Sequence, residues 1–144
     1  MGWRDTVTEQ AQADLDGLVD AAVAFAVERV KAAGEFLPFA FAVSTHGQLQ
    51  AITPNYPRGG DLQVVDQLAA QWRAIAEVKA SLRAAVVAVN VTLPEQKQDG
   101  IEVTAEHREG VAIGLIFPYS LGADGHCALG PPSAHREDRR VWAA

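Results

Sequence analysis

The sequence predicts an α+β fold, in which an antiparallel sheet of about five strands is covered by two long amphipathic helices. Apolar residues recur at three- and four-residue spacing in two segments, 5–33 and 61–82, which is typical of helices. Shorter segments alternate large apolar residues with small or polar ones, which is typical of strands. The resulting order is α-β-β-α-β-β-β, and two layers with both helices on one side of the sheet is its simplest arrangement.

The first helix is predicted over residues 5–33. Thr6 and Glu9 have the spacing of a capping box, and Gly34 follows the last turn, where a left-handed residue is favoured. Val23 and Val27 widen the apolar stripe, so we expect this helix to be covered on more than one side. The stripe itself consists of Leu15, Leu18, Val19, Ala22, Phe25, Ala26 and Val30.

A hairpin is predicted over residues 36–52, with its turn at 45–47. Its first strand has one large face and one small face, because Phe39, Phe41 and Val43 alternate with alanine and serine. Residues 53–60 are rich in proline and glycine and are predicted as a loop.

The second helix is predicted to start after Asp61 as N-cap and to run to about Leu82. A third strand follows over residues 84–93, where β-branched residues dominate. One face is predicted to carry Val87, Val89, Val91 and Leu93, and the other Val86, Ala88, Asn90 and Thr92.

The last two strands form a hairpin over residues 101–118, joined at Glu109 and Gly110. Its second arm reads as an interior strand with large residues on one face, and Leu115 is expected among the most buried side chains. Residues 1–119 are predicted as a single α+β domain. Residues 120–144 are rich in glycine, proline and serine without a period, so they are predicted as an irregular C-terminal arm that folding does not require.

The small-residue faces of the predicted strands are too apolar to be left bare in water. The first helix, the C-terminal arm or a second copy of the chain could cover them. Two-fold dimers are the commonest oligomers, so we expect a homodimer. The residues concerned are Ala40, Ala42, Ala88, Ala112, Gly114 and Ile116.

The element order resembles that of the roadblock and longin domains of the profilin-like class. The resemblance lies in the order of helices and strands over residues 5–118, and no sequence motif accompanies it. It implies a small scaffolding module and assigns no functional residue.

Composition narrows the class of partner. Net charge is −6, and the twelve lysines and arginines are scattered, which disfavours a nucleic-acid partner. No apolar run is long enough to cross a bilayer, so no membrane partner is predicted. The first residues do not resemble a secretion signal, and the lone Cys127 cannot form an internal disulfide, so a cytoplasmic location is expected.

The densest group of reactive side chains is Glu106, His107, Arg108 and Glu109, with Tyr119 across the mouth of the hairpin. The candidate ligand-binding residues are Glu106, His107, Arg108 and Tyr119. Alternation along a strand places Glu106 and His107 on opposite faces, which weakens the case for a catalytic pair, so no catalytic residue is assigned.

A metal site is the other chemistry considered. His126, Cys127 and His135 are competent ligands, with His107 as a possible fourth, but their spacing matches no compact metal-binding pattern. No metal and no cofactor are predicted. The sequence therefore favours a non-catalytic interaction or regulatory module that self-associates and has a possible protein partner. The alternative is a small-molecule-binding protein or enzyme that uses the hairpin around His107 and Tyr119.

Overall fold

The structure, a computed structural model, describes residues 3–54, 63–95 and 97–142. It has two α-helices and a curled antiparallel sheet of six to seven strands, so the predicted α+β class is confirmed with a larger sheet. The helices are α1 (Glu9–Ala33) and α2 (Val64–Glu77). The strands are β1 (Phe39–Ser44), β2 (Leu49–Ile52), β3 (Leu82–Leu93), β4 (Gln98–His107), β5 (Val111–Leu121), β6 (Cys127–Leu129) and β7 (Ser133–Arg136).

The strand order is β2-β1-β3-β4-β5-β6, and β7 also pairs with β5. Tyr119 lies opposite Leu129 of β6, and Ile113 lies opposite Arg136 of β7, so both strands follow one edge of β5 with a shift of one residue between them. They are two parts of one edge strand, interrupted at 130–132 by a glycine and two prolines. Proline has no N–H to donate to a ladder, which accounts for the interruption.

Residues 120–144 were predicted as an irregular arm, and this is corrected by β6 and β7. Both strands are short and mostly exposed, so they carry no apolar alternation that the sequence could reveal. Whether residues 1–119 form a domain that folds alone stays a prediction.

Helix α1 begins at a different cap from the one predicted. Thr8 is the N-cap, and its hydroxyl accepts a hydrogen bond from the Ala11 N–H at 3.2 Å. Thr6 instead closes a 3-10 turn by donating to the Trp3 carbonyl. The C-terminal prediction is confirmed, because Gly34 has a left-handed φ of 81° and donates to the Val30 carbonyl. The predicted N-cap Asp61 of the second helix lies outside the described residues.

The two helices lie on opposite faces of the sheet, so the predicted two-layer arrangement is wrong. Residues Leu15 to Val30 of α1 pack on the face that carries Val86, Ile101 and Val103. Ile75 of α2 packs on the other face, against a second group of buried residues. That second group includes Ala40, Ala42, Ala85, Val87 and Val141, with Leu68, Trp72 and Trp142 packed against it.

The orientation of strand β3 differs from the prediction, which placed Ala88 on the same face of the sheet as Ala40 and Ala42. Phe41 of β1 lies opposite Val86, and Ala40 lies opposite Val87, so Val86 and Ala88 face α1 while Val87 faces α2. Both faces of this strand are apolar, so alternation alone could not orient it.

Most of the predicted small-residue face is covered within the chain. Ala40 and Ala42 are buried against α2, and Ala88 lies on the α1 face. Gly114 lies directly under the His135 ring, where a Cβ atom would overlap it. No helix in the described part of the chain is long and apolar enough to cross a membrane.

Candidate functional site

The His107 cluster is a buried ionic network that joins β4, β3 and α1. Asp14 of α1 accepts two hydrogen bonds from Arg83, from Nε to Oδ2 and from Nη2 to Oδ1, both at 2.8 Å. The Nε2 atom of His107 lies 3.0 Å from Asp14 Oδ2. Arg83 reaches Asp14 at the point where the β1–β3 register shifts, between Val43 and Ser44.

The hydrogen bonds indicate the tautomer of this histidine. The Glu109 N–H donates to Nδ1 of His107 at 3.1 Å, so Nδ1 is an acceptor and the proton lies on Nε2, which donates to Asp14. His107 is 1% exposed, which leaves no path for a ligand to its ring. The His107 cluster therefore serves to hold α1 against the sheet.

The β4–β5 turn is tied to the start of α1 by Glu109. Its Oε2 accepts from the Thr8 hydroxyl at 2.6 Å, and its Oε1 accepts from the Thr8 N–H at 3.2 Å. These hydrogen bonds lower the pKa of Glu109, since they stabilise the carboxylate form. A carboxylate beside a helix N-terminus also interacts favourably with the helix dipole.

Glu106 lies on the other face of β4 and binds the C-terminal segment. Its two carboxylate oxygens accept hydrogen bonds from three consecutive backbone N–H groups, those of residues 140–142, at 2.7–3.2 Å. Glu106 is 1% exposed, so these donors replace the water that the carboxylate loses on burial. The prediction that Glu106 and His107 point to opposite faces is confirmed.

The remaining two candidate ligand-binding residues lie elsewhere. Arg108 is exposed at the β4–β5 turn. Tyr119 pairs with Asp99 near the open end of the hairpin, and its hydroxyl exchanges hydrogen bonds with Asn90. Asp99 and His107 are eight positions apart along β4, or roughly 27 Å of strand. The expected pocket shared by His107 and Tyr119 is therefore not formed.

The three residues considered as metal ligands have separate surroundings. Cys127 packs against the α1 side of the core, and burial raises the pKa of its thiol. His126 is exposed in the β5–β6 turn, and His135 pairs with Glu137 at 2.6 Å. Within residues 3–54, 63–95 and 97–142, no three histidine, cysteine or carboxylate side chains are grouped so that they could hold a metal ion.

A cleft of about 680 Å³ opens between the start of α1 and the edge of the sheet, and we call it the edge cleft. Its floor is the α1-facing side of β5, with Val111, Ile113 and Leu115, joined by Val19 of α1. Leu115 is only half-buried because it lines this cleft, which corrects the expectation that it is among the most buried residues. This volume is within the range of small-molecule sites, about 300–1,000 Å³.

One wall of the edge cleft is built by the 3-10 turn and α1. Arg4 stacks over the Trp3 ring at 4.6 Å and makes two hydrogen bonds to Asp16, at 2.8 and 2.7 Å. Asp20 lies one turn further along α1 and has no ion pair with any described residue. This wall therefore presents a fixed aromatic and guanidinium platform beside an uncompensated carboxylate.

The opposite wall is built by β7 and the residues after it. Arg136 is the register partner of Ile113, so its side chain leaves the sheet on the same face as the apolar floor. Arg139 lies over Gly110, within contact distance of where a Cβ atom would be. Neither guanidinium has an ion-pair partner in the part of the chain that the structure describes. Sequence reasoning missed this cleft because its walls are more than 100 residues apart.

The fold and site together define a small α+β protein with helices on both faces of an antiparallel sheet, a buried ionic cluster and an open cleft at the sheet edge. Comparison with family models, curated proteins and solved structures finds no match to this chain.

Proposed function

We propose that this protein is a cytoplasmic, non-catalytic interaction module that forms a homodimer through strand β2. The proposal rests on the residues of this edge strand, which lack the features that normally block pairing with another strand. Within the described residues β2 pairs only with β1, and its four residues, Leu49–Ile52, include no charge and no proline. Its pairing with β1 has no register shift. Charges, prolines and bulges are the usual means of blocking edge-to-edge pairing, and β2 has none of them.

The other edge of the sheet supplies an internal comparison. There the 127–136 segment is interrupted by two prolines and a register shift, and it carries His135 and Arg136. These features protect that edge from pairing with another chain. The contrast favours β2 as the edge that meets a partner.

An exposed apolar surface continues from β2 toward α1, and we call it the aromatic patch, formed by Phe25, Phe39, Phe41 and Leu49. The Phe25 ring packs on Phe39 and Phe41 with centroids 4.7 and 5.6 Å away. Phe25 is nevertheless 43% exposed, and Leu49 is 57% exposed. Large apolar side chains that share one exposed surface are typical of interaction sites.

A second copy of the chain fits this surface better than a charged partner does. A two-fold axis beside β2 would pair the two β2 strands antiparallel and bring the two aromatic patches to the same side of the extended sheet. The net charge of −6 opposes contact between copies over most of the surface, whereas β2 and the aromatic patch carry no charge. A four-residue strand is too short to supply the 1,200–2,000 Å² typical of a stable interface, so the patch must contribute.

The non-catalytic part of the proposal is supported by the state of the reactive groups. His107 and Glu106 are buried and bonded to structural partners, as described above. Since the candidate acid and base are both occupied in holding the fold, neither is positioned to transfer a proton to a ligand.

Sedimentation equilibrium at micromolar protein tests the proposal. We expect a concentration-dependent dimer mass for the native chain and at least about tenfold weaker association for Leu49→Lys, because the lysine would place a charge on the edge strand and within the aromatic patch. The matched control is Val65→Lys, a lysine at a 69% exposed apolar site on α2, on the other face of the sheet. A monomer mass at every concentration, or equal association of the two lysine variants, would contradict the proposal.

A further inference from the structure

The edge cleft is independent of the proposed dimer surface, which lies at the opposite end of the strand order. We propose that the edge cleft binds a small zwitterionic ligand with an apolar body, of the size and chemistry of a short peptide with free amino and carboxyl ends. Three features of the cleft carry this inference: its floor, the charges on its two walls, and the space between them.

The floor selects for an apolar body. Val111, Ile113 and Leu115 project from one face of β5, and Val19 meets them from α1. At the position beside Leu115 the edge strand carries Ala134, whose small side chain leaves this floor open toward solvent. Ligand sites commonly combine such an apolar lining with a few polar groups that fix orientation.

The two walls carry opposite uncompensated charges. Arg136 and Arg139 lie on the β7 side, and Asp20 lies on the α1 side. A guanidinium binds a carboxylate through two parallel N–H···O hydrogen bonds, which is the geometry that favours a ligand carboxylate on the β7 side. An aspartate without a cationic neighbour offers acceptors to an ammonium group on the α1 side.

The space between the walls explains why these charges do not pair with one another. No ion pair within 4.0 Å joins Asp20 to Arg136 or Arg139 in the described residues, although all three line the same cleft. Two other acids that line the cleft are already compensated, because Asp16 is held by Arg4, and Glu137 is held by His135 and Arg140. Asp138 also lines the cleft, so the cleft as a whole is not a site for a simple anion.

Titration of the full chain with leucyl-phenylalanine, followed by amide chemical shifts, tests the inference. We expect saturable shifts of amides in β5 and β7. Acetyl-leucyl-phenylalanine lacks the ammonium, leucyl-phenylalanine amide lacks the carboxylate, and glycyl-glycine lacks the apolar body. Each should bind at least about tenfold more weakly, since each removes one of the three contacts.

Two variants assign the contacts to the cleft. Asp20→Asn should weaken leucyl-phenylalanine binding and leave the affinity for the acetylated peptide unchanged. Arg136→Gln should also weaken leucyl-phenylalanine binding, and it should leave the affinity for leucyl-phenylalanine amide unchanged. Arg73→Gln is the control, because Arg73 is exposed on α2, on the other face of the sheet. Amide spectra of all three variants should show the native fold.

The outcomes that overturn the inference are distinct. If millimolar leucyl-phenylalanine causes no chemical-shift change, the edge cleft does not bind this ligand class. Equal binding of the acetylated peptide would show that the ligand class is a plain carboxylate, which contradicts the zwitterion. Binding that Asp20→Asn and Arg136→Gln leave unchanged would place the ligand elsewhere. None of these results bears on dimerisation, so this inference and the proposed function fail separately.

Discussion

Glu106 is a buried carboxylate whose partners are main-chain N–H groups, and its charge makes those hydrogen bonds strong. We expect Glu106→Gln to destabilise the fold by about 1.5–3 kcal/mol, because glutamine has no charge and turns an N–H₂ donor toward N–H donors. Chemical denaturation followed by tryptophan fluorescence measures this change.

Glu102→Gln is the matched control for that measurement. Glu102 lies on the same face of β4, is half-exposed, and its carboxylate makes no hydrogen bond in the part of the chain that the structure describes. Its substitution should change stability by less than about 0.5 kcal/mol. Equal unfolding midpoints for the two variants would show that the contacts of Glu106 do not contribute to stability.

For single residues, local periodicity predicted which face of the sheet a side chain occupies but not its hydrogen-bond partner. The opposite orientations of Glu106 and His107 follow from strand alternation alone. The partner of His107, however, is Asp14, which is 93 residues away, and the donors to Glu106 are backbone groups 34–36 residues later. Backbone donors leave no trace in side-chain identity, so no sequence pattern could reveal them.

Among the elements, the start of α1 is coupled to the β4–β5 turn through Thr8 and Glu109. The pKa of Glu109 is lowered in the folded state, so its contribution to stability is present above the ordinary glutamate pKa of about 4.3 and is lost as pH falls through the folded-state pKa. Glu109→Gln mimics the protonated acid. We therefore expect it to melt below the native chain at pH 7 and together with it in strong acid.

Thermal melts from pH 7 down to acid, recorded by circular dichroism, check this convergence. Glu35→Gln is the control, since Glu35 is an exposed acid with no partner among the described residues, and its melting temperature should follow the native chain at every pH. A difference between Glu109→Gln and the native chain that stays constant with pH would contradict the electrostatic origin of the coupling.

Periodicity predicted where the helices and strands lie in the sequence better than it predicted which face of each strand packs against which helix. Helix α1 ends before Gly34 as predicted, because a C-terminal glycine is a local signal. The orientation of β3 was wrong because Val86 and Val87 are equally suitable for burial, and only the pairing with β1 decides between them. Alternation in β1 correctly predicted one large and one small face. The small face, with Ala40 and Ala42, packs against α2.

In the whole molecule, the C-terminal segment covers parts of the sheet that the two helices leave exposed. The β6–β7 strand covers the outer edge of β5, the His135 ring covers Gly114, and Val141 is buried at 4% exposure in the α2-side core. Its residues are mostly exposed and aperiodic in sequence, so composition predicted a dispensable arm. Its contribution depends on main-chain pairing and on one buried carboxylate, neither of which composition records.

From this architecture we now expect folding to require the C-terminal segment, contrary to the prediction from composition. Truncation after Leu121 removes β6, β7 and the three N–H groups that donate to Glu106, and a buried carboxylate without partners is costly. We expect this truncated chain to lose its cooperative melt. A native-like cooperative melt would show that residues 1–121 fold alone.

A shorter truncation, after Asp138, separates the Glu106 contacts from the edge strands, because it keeps β6 and β7 and removes the three donating N–H groups. In the full chain we expect Glu106→Gln to be destabilising. In this truncated chain it should be neutral or stabilising, because the glutamine no longer faces donors and a neutral side chain is less costly to bury. Denaturant unfolding of the two chains, each with and without the substitution, forms a double-mutant cycle whose interaction energy we expect to exceed about 1 kcal/mol. Additive effects would mean that the hydrogen bonds between Glu106 and residues 140–142 do not hold the C-terminal segment on the sheet.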